Sequence, residues 1–258
     1  MIRVALTILC LLASASPNAG DVRVAVASNF AHTLKTLIPA FEQQTGHRVN
    51  VSSASSGKLY AQILHGAPFD VFLSADTDKP DQLAERYPDI ASSQFTYATG
   101  RLVLWCPSEC EHPLTDLKNG RYRVLAMANP RVAPYGHATQ EALQHLNIDD
   151  GDAATSAKVV LGENIGQTWR FIDTGNATLG FIALSQARQQ HSSDKDDSIL
   201  PESQYWSVPA TMHSPLSQSA VLTQQGLANP AAKAFREYLL SAPVQAQIQQ
   251  QGYDPVYE

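Results

Sequence analysis

Five short segments hold the residues whose types and spacing suit chemistry: Ser28-Asn29-Phe30, Ser55-Ser56-Gly57-Lys58, Asp76-Thr77-Asp78, the run from Asn129 through Pro134-Tyr135 to Gly136, and Gly162-Glu163-Asn164-Ile165-Gly166. Four of the five offer hydroxyls, amides or bare backbone N–H groups. At the start of a helix such donors bind anions, because unpaired N–H groups coincide there with the positive end of the helix dipole. The same residues are also preferred helix N-caps, so no single segment is diagnostic. Four of them converging on one place would be. Lys58 could reach an anion, but a long cation in a first turn usually stays solvated. Asp70 and Asp76 read as turn and cap residues around an apolar strand. The eight histidines are scattered; none forms HExxH, and His137 and His145 stand too far apart on one helix to share a metal. GxSxG, Walker and GxGxxG patterns are absent. A serine hydrolase built on Ser28 or Ser56 stays open as an alternative and needs a His and an acid brought to that hydroxyl by the fold.

These segments must be positioned by the elements around them. Val22–Ser28 has valines at alternate positions and reads as a strand. Phe30, Leu34, Leu37, Ile38 and Phe41 then mark one helix face, with a kink or break expected at Pro39 and a stop at Gly46. His47–Ser53 is a second strand, Lys58–Leu64 a helix ended by Gly66, and Asp70–Ala75 a third strand. The alternation restarts after Gly100. Strands are expected at Leu102–Trp105, Arg123–Ala128, Lys158–Leu161 and Leu179–Leu184, and helices at Gly136–Leu146, Gly166–Thr174 and Ser185–Gln190. A polar loop follows over 191–198. Val208–Met212 and Ala220–Thr223 read as strands, and Ala231–Leu240 and Val244–Gln250 as terminal helices. Such alternation implies parallel sheets with helices on their faces. Two runs of it imply two lobes and a cleft, with ligands beyond the carboxyl ends of the strands, where the five segments fall.

Met1–Gly20 places one basic residue, Arg3, before an apolar run from Val4 to Ala13 and then small residues. That order marks a secretory signal peptide, too short to span a bilayer, so a soluble exported chain is expected. Net charge is −6, from 18 Lys+Arg against 24 Asp+Glu, without a basic block, which argues against nucleic acid as a partner. A chain of 258 residues with 44% hydrophobic content can bury a core without disulfides or metals. Beyond the leader, Cys106 and Cys110 flank a turn at Pro107. In an oxidising compartment a small disulfide is favoured there over two free thiols or a metal site.

The segments also carry a resemblance. Val24-Ala-Val-Ala-Ser-Asn-Phe30, Phe41-Glu-x-x-Thr-Gly46, Ala54-Ser-Ser-Gly57, His65-Gly-Ala-Pro-Phe-Asp-Val-Phe-Leu-Ser-Ala-Asp76, Asn129-Pro-x-x-Ala-Pro-Tyr-Gly136, Gly162-Glu-Asn-Ile-Gly166 and Thr174-Gly-Asn-Ala-x-Leu-Gly-Phe-Ile-Ala183 occur in that order. Together they make the chain similar to the periplasmic molybdate-binding proteins of ABC importers. The resemblance implies an α/β fold of type II periplasmic binding proteins: two lobes, each a mostly parallel sheet flanked by helices, with a ligand cleft between. Lobe one is expected at 21–100 plus 209–258 and lobe two at 101–208. It implies a monomeric, non-catalytic receptor with no cofactor and no metal beyond the molybdenum or tungsten of its ligand, delivering molybdate or tungstate to a membrane permease from the periplasm, without inserting into the membrane itself. Sulfate and phosphate are the alternative ligands. The implied ligand-binding residues are Ser28, Asn29, Ser56, Tyr135 and Ile165. Ser28 and Ser56 would donate hydroxyl and backbone N–H, and Ile165 its N–H alone; for Tyr135 the phenol and the N–H both remain open. One subgroup has Ala at the position of Tyr135 and a binding Tyr at that of Ala183, and this chain has the reverse.

Overall fold

The computed structural model describes residues 19–107, 110, 112–148, 158–193 and 201–256. The expected leader, apart from Ala19 and Gly20, and positions 194–198 of the expected polar loop lie outside the described residues. The chain first forms β1 (Asp21–Ala27), α1 (Ala31–Thr45), β2 (Arg48–Ala54), α2 (Ser56–Leu64), β3 (Val71–Leu73), α3 (Asp78–Arg86) and β4 (Phe95–Thr99). It continues through β5 (Leu102–Trp105), α4 (Pro113–Lys118), β6 (Leu125–Ala128), α5 (Pro134–His145), β7 (Val159–Gly162), α6 (Ile165–Asp173), β8 (Leu179–Ala183), α7 (Leu184–Ser193) and β9 (Tyr205–Ser207). It ends in β10 (Ser217–Leu222), α8 (Gln224–Ala228), α9 (Pro230–Leu240) and α10 (Ala242–Gln250).

Two five-stranded sheets result, in the orders β2-β1-β3-β10-β4 and β7-β6-β8-β5-β9. In each, one strand runs against the rest: β10 is antiparallel to β3 and β4, and β5 to β8 and β9. The chain passes to the second sheet between β4 and β5, at Gly100, and returns between β9 and β10. Both faces of both sheets are covered, which is why β3, β5, β6 and β8 are apolar rather than alternating. Val22, Val24 and Val26 pack with α1, α9 and α10 on one face of β1, while Ala25 packs with Leu59 and Leu83 on the other. In the second sheet Leu102 and Leu104 face one core and Val103 and Trp105 the opposite one.

Most expected elements form, and the differences have physical causes. Helix α1 runs unbroken through Pro39, which sits on its exposed side, where water can serve the carbonyl left without a partner. Gly46 ends it in the left-handed region, φ 73°, with its N–H on Glu42 O. Val208–Met212 is not a strand: β9 ends at Ser207, Pro209 interrupts the pairing, and Ala210–Met212 is a single 3-10 turn. Helix α7 extends to Ser193, into the segment expected as a loop. Cys106 and Cys110 form the expected disulfide.

One glycine bears directly on the site described below. A Cβ at Gly136, in the first turn of α5, would lie 2.4 Å from Ala128 O and 2.8 Å from the Asn129 carbonyl carbon, both backbone. The glycine lets α5 start directly against the end of β6 and fixes where its neighbour Tyr135 sits. Gly136→Ala should therefore cost about 1–3 kcal/mol by overpacking. Urea unfolding checks it, and unchanged stability would mean that α5 is free to shift.

Candidate functional site

Four helix starts from the two sheets meet at one small cavity, lined by Ala27, Ser28, Asn29, Ser55, Ser56, Ala75, Ala133, Pro134, Tyr135 and Ile165. All five residues singled out from the sequence line it. Ala183 does not, and the segment Asp76-Thr77-Asp78 stands outside it, capping α3 through Lys79 N–H donated to Asp76 Oδ1 at 3.1 Å. Asp70 lies elsewhere, accepting from the Arg23 N–H at 2.7 Å and pairing with its guanidinium.

Each junction is held so that donors are left over. The Ser28-Asn29 turn is anchored by Phe30, fully buried and packed edge-on against Tyr97 and Tyr253 at centroid distances of 4.7 and 5.4 Å. Ser28 N–H donates to Ala54 O at 3.0 Å, so this residue offers its hydroxyl alone, not hydroxyl and N–H as expected. Asn29 gives its side-chain Nδ2 to Gln218 Oε1 at 2.9 Å, and its backbone N–H has no partner among the described residues. Ser56, Tyr135 and Ile165 occupy the first turns of α2, α5 and α6, and their N–H groups are likewise unpaired among the described residues. The Asn164 side chain caps α6 by accepting from Gln167 N–H at 3.0 Å, which leaves the Ile165 N–H open.

The hydroxyls share one arrangement. Ser28 Oγ accepts from Gly166 N–H at 3.2 Å, Ser56 Oγ from Ala75 N–H at 2.9 Å, and the Tyr135 phenol from Gln218 Nε2 at 3.3 Å. A hydroxyl has one proton. With an N–H already on its oxygen, that proton is free to be donated elsewhere. Ser55 Oγ, named in its segment but not among the expected ligand residues, is buried with no partner among the described residues and does not cap its own helix. It is a further donor on the same wall. Its sequence signal, an N-cap serine, is indistinguishable from ordinary capping.

No charged side chain and no histidine lines the cavity among the described residues. A serine hydrolase would need a base there, so that alternative loses its geometry. Lys58, expected to be solvated, pairs with Glu163 Oε2 at 2.6 Å at the cavity's rim, joining α2 to the loop after β7. Both partners are substantially exposed, at 43% and 65%, so the pair contributes little energy. Gly57 N–H donated to Val132 O at 3.1 Å and Gly166 N–H donated to Ser28 Oγ also join the two sheets' segments.

Beneath it lies a buried polar cluster of Tyr97, Tyr135, Tyr253, Gln218 and Asn29. Burial pushes the Tyr97 and Tyr135 phenols well above the ordinary value and Tyr253 to about 12. Metal chemistry has no matching cluster: no group of three or more His, Cys, Asp or Glu suited to a metal occurs among the described residues.

Two mostly parallel sheets exchanged by two crossings, with helix starts walling a cavity between them, define the type II periplasmic binding fold. The chain matches the bacterial extracellular solute-binding protein family over residues 22–254 and belongs to it. It is 40% identical to the molybdate-binding protein ModA of Azotobacter vinelandii, over 94% of this chain and 93% of that one. Identity to ModA of Rhodobacter capsulatus is 37%, over 91% and 88%. The solved structure of the A. vinelandii periplasmic molybdate-binding protein matches with a TM-score of 0.82 at 35% identity, covering 92% of this chain and 100% of that one.

The phenols give a test that needs no ligand. In a spectrophotometric titration of the native protein, Tyr97, Tyr135 and Tyr253 should stay neutral as pH passes the ordinary phenol value of about 10. Their folded values lie above the unfolded one, so the stability they confer is whole below about pH 10 and is lost as pH rises towards the folded values. All tyrosines of the native protein ionising together near pH 10 would contradict the cluster.

Proposed function

We propose that this protein is an exported, monomeric, non-enzymatic receptor that captures molybdate or tungstate between two lobes and hands it to the permease of an ABC importer. The observation that carries this reading is the set of three hydroxyls, on Ser28, Ser56 and Tyr135, each accepting an N–H so that its proton is left for a ligand. Such a wall offers donors to a ligand that only accepts, which describes a fully deprotonated tetrahedral dianion. We assign the ligand contacts to the Ser28 hydroxyl, the Asn29 N–H, the Ser56 hydroxyl and N–H, the Tyr135 phenol and the Ile165 N–H. The lobes are taken as 21–100 plus 209–258 and 101–208, after removal of a leader over 1–20.

The energetics are sufficient. A dianion leaving water must have its lost hydrogen bonds replaced, and charge-assisted bonds contribute about 1.5–3 kcal/mol each. Six such donors reach the roughly 8–12 kcal/mol that micromolar to nanomolar binding requires. Neutral donors on rigid helix starts also read ligand radius, since they cannot all follow a smaller anion inward. Each bond lost leaves a donor unpaired at a cost of about 1–3 kcal/mol. Phosphate carries a proton near neutral pH and would need an acceptor, and no carboxylate lines the cavity among the described residues.

Calorimetry at neutral pH tests the reading. Molybdate and tungstate should bind tightly and about equally, and sulfate at least about 30-fold more weakly, the equivalent of losing two donors at the low end of that cost. Ser56→Ala should weaken molybdate binding by about tenfold to a hundredfold, and Ser55→Ala by less. Sulfate binding within about tenfold of molybdate would make the protein a general oxyanion receptor.

A further inference from the structure

We propose that Gln218 is a positioning residue for the oxyanion: its amide sets the direction in which the Tyr135 phenol donates. The proposal rests on the oxyanion reading above and adds to it a residue that does not line the cavity. Gln218 belongs to β10 and is completely buried, an unusual place for an amide on a strand whose following residues are Ala220, Val221 and Leu222. The pairing of β10 with β4 slips between Gln218 and Ser219, an irregularity of the kind that re-aims a side chain.

Both ends of the amide are engaged. Gln218 Oε1 lies 2.9 Å from Asn29 Nδ2, which donates to it, and 2.9 Å from the Tyr97 hydroxyl, whose single proton is shared with Ser74 O at 2.8 Å. Gln218 Nε2 is thereby turned to the Tyr135 phenol oxygen at 3.3 Å. Tyr135 comes from α5 beside the second sheet and Gln218 from the first, so this one amide ties ligand-side residues of both. Space for the contact is reserved by Gly100, at the crossing between β4 and β5. A Cβ there would lie 2.7 Å from Gln218 Nε2 and closer still to the phenol oxygen.

The chemical consequence follows from proton counting. A phenol left alone can turn its proton to any nearby acceptor, and the Asn29 side chain stands within hydrogen-bonding reach of it, with an Oδ1 that meets no other partner among the described residues. With Gln218 Nε2–H occupying one lone pair, the phenol presents its proton elsewhere, and the oxyanion supplies the charged acceptor. Gln218 thus prepays the orientation of a ligand donor, and its loss should reduce affinity without removing any ligand contact.

A double-mutant cycle read by molybdate calorimetry decides the matter. Gln218→Met should weaken binding about tenfold when Tyr135 is present and less than about twofold in the Tyr135→Phe background, because the amide acts through the phenol. Should Gln218→Met fail to fold, Gln218→Glu supplies the same cycle with an isosteric side chain. Its carboxylate still accepts from Asn29 and Tyr97 but puts an acceptor where the phenol needs a donor. Its repulsion of the anion is present in both backgrounds and cancels, leaving a coupling of about tenfold attributable to the phenol. Equal losses in the two backgrounds overturn the role of Gln218 and leave the receptor reading intact. Wild-type protein that binds no molybdate overturns both.

Discussion

The rest of the site depends on how a hydroxyl spends its single proton. Serine and tyrosine hydroxyls donate and accept equally well in principle, so by themselves they do not discriminate an anion from a neutral sugar or a cation. Here the protein sets an N–H donor against each oxygen, taking one of its lone pairs. Gly166 N–H, Ala75 N–H and Gln218 Nε2 each occupy a hydroxyl oxygen in the cavity. Two of the three are backbone groups, fixed by the chain path itself. The third is a side chain, which makes it the more adjustable part of the device.

That arrangement explains the two-sheet architecture better than a simple wish for a cleft. The N–H that fills Ser28 comes from Gly166, 138 residues along the chain and on the other sheet's side. The amide that fills Tyr135 on α5 comes from β10 in the first sheet. The contacts between the two sheets therefore set both the cavity's walls and the N–H partners of its hydroxyls. The Lys58–Glu163 pair at the rim adds little energy, and its charges sit outside the cavity, so the side chains that line it among the described residues are neutral and cannot drift as a lysine can.

Much of this was legible in the sequence, and the rest was not for identifiable reasons. The strands β5, β6 and β8 are apolar because both faces are buried, and they stood out as such, while β1 showed in its alternate valines. Helix α3 did not, since its buried residues are only Pro80 and Leu83 among charged neighbours, too few to mark a face. Val208, Ala210 and Met212 imitate strand alternation although Pro209 breaks the ladder. At the site, residue identity was readable because donors at strand-to-helix junctions are local. Which atom of each residue is free was not, because the Ser28 N–H is consumed by Ala54 and the Asn29 amide by Gln218, partners set by the fold. Gln218 itself lay just outside the strand recognised at Ala220–Thr223, and a buried amide two residues before it was the missed signal.

The most direct test of the central claim is a high-resolution crystal structure of the protein grown with molybdate, the metal located by its anomalous scattering. The account predicts one tetrahedral anion in the cavity, its oxygens about 2.6–3.2 Å from Ser28 Oγ, Ser56 Oγ, the Tyr135 phenol oxygen and the backbone nitrogens of Asn29, Ser56 and Ile165. The N–H partners of the three hydroxyls should stay in place. An anion held by Lys58 or another charged side chain, or hydroxyls that abandon Gly166, Ala75 and Gln218 on binding, would contradict it.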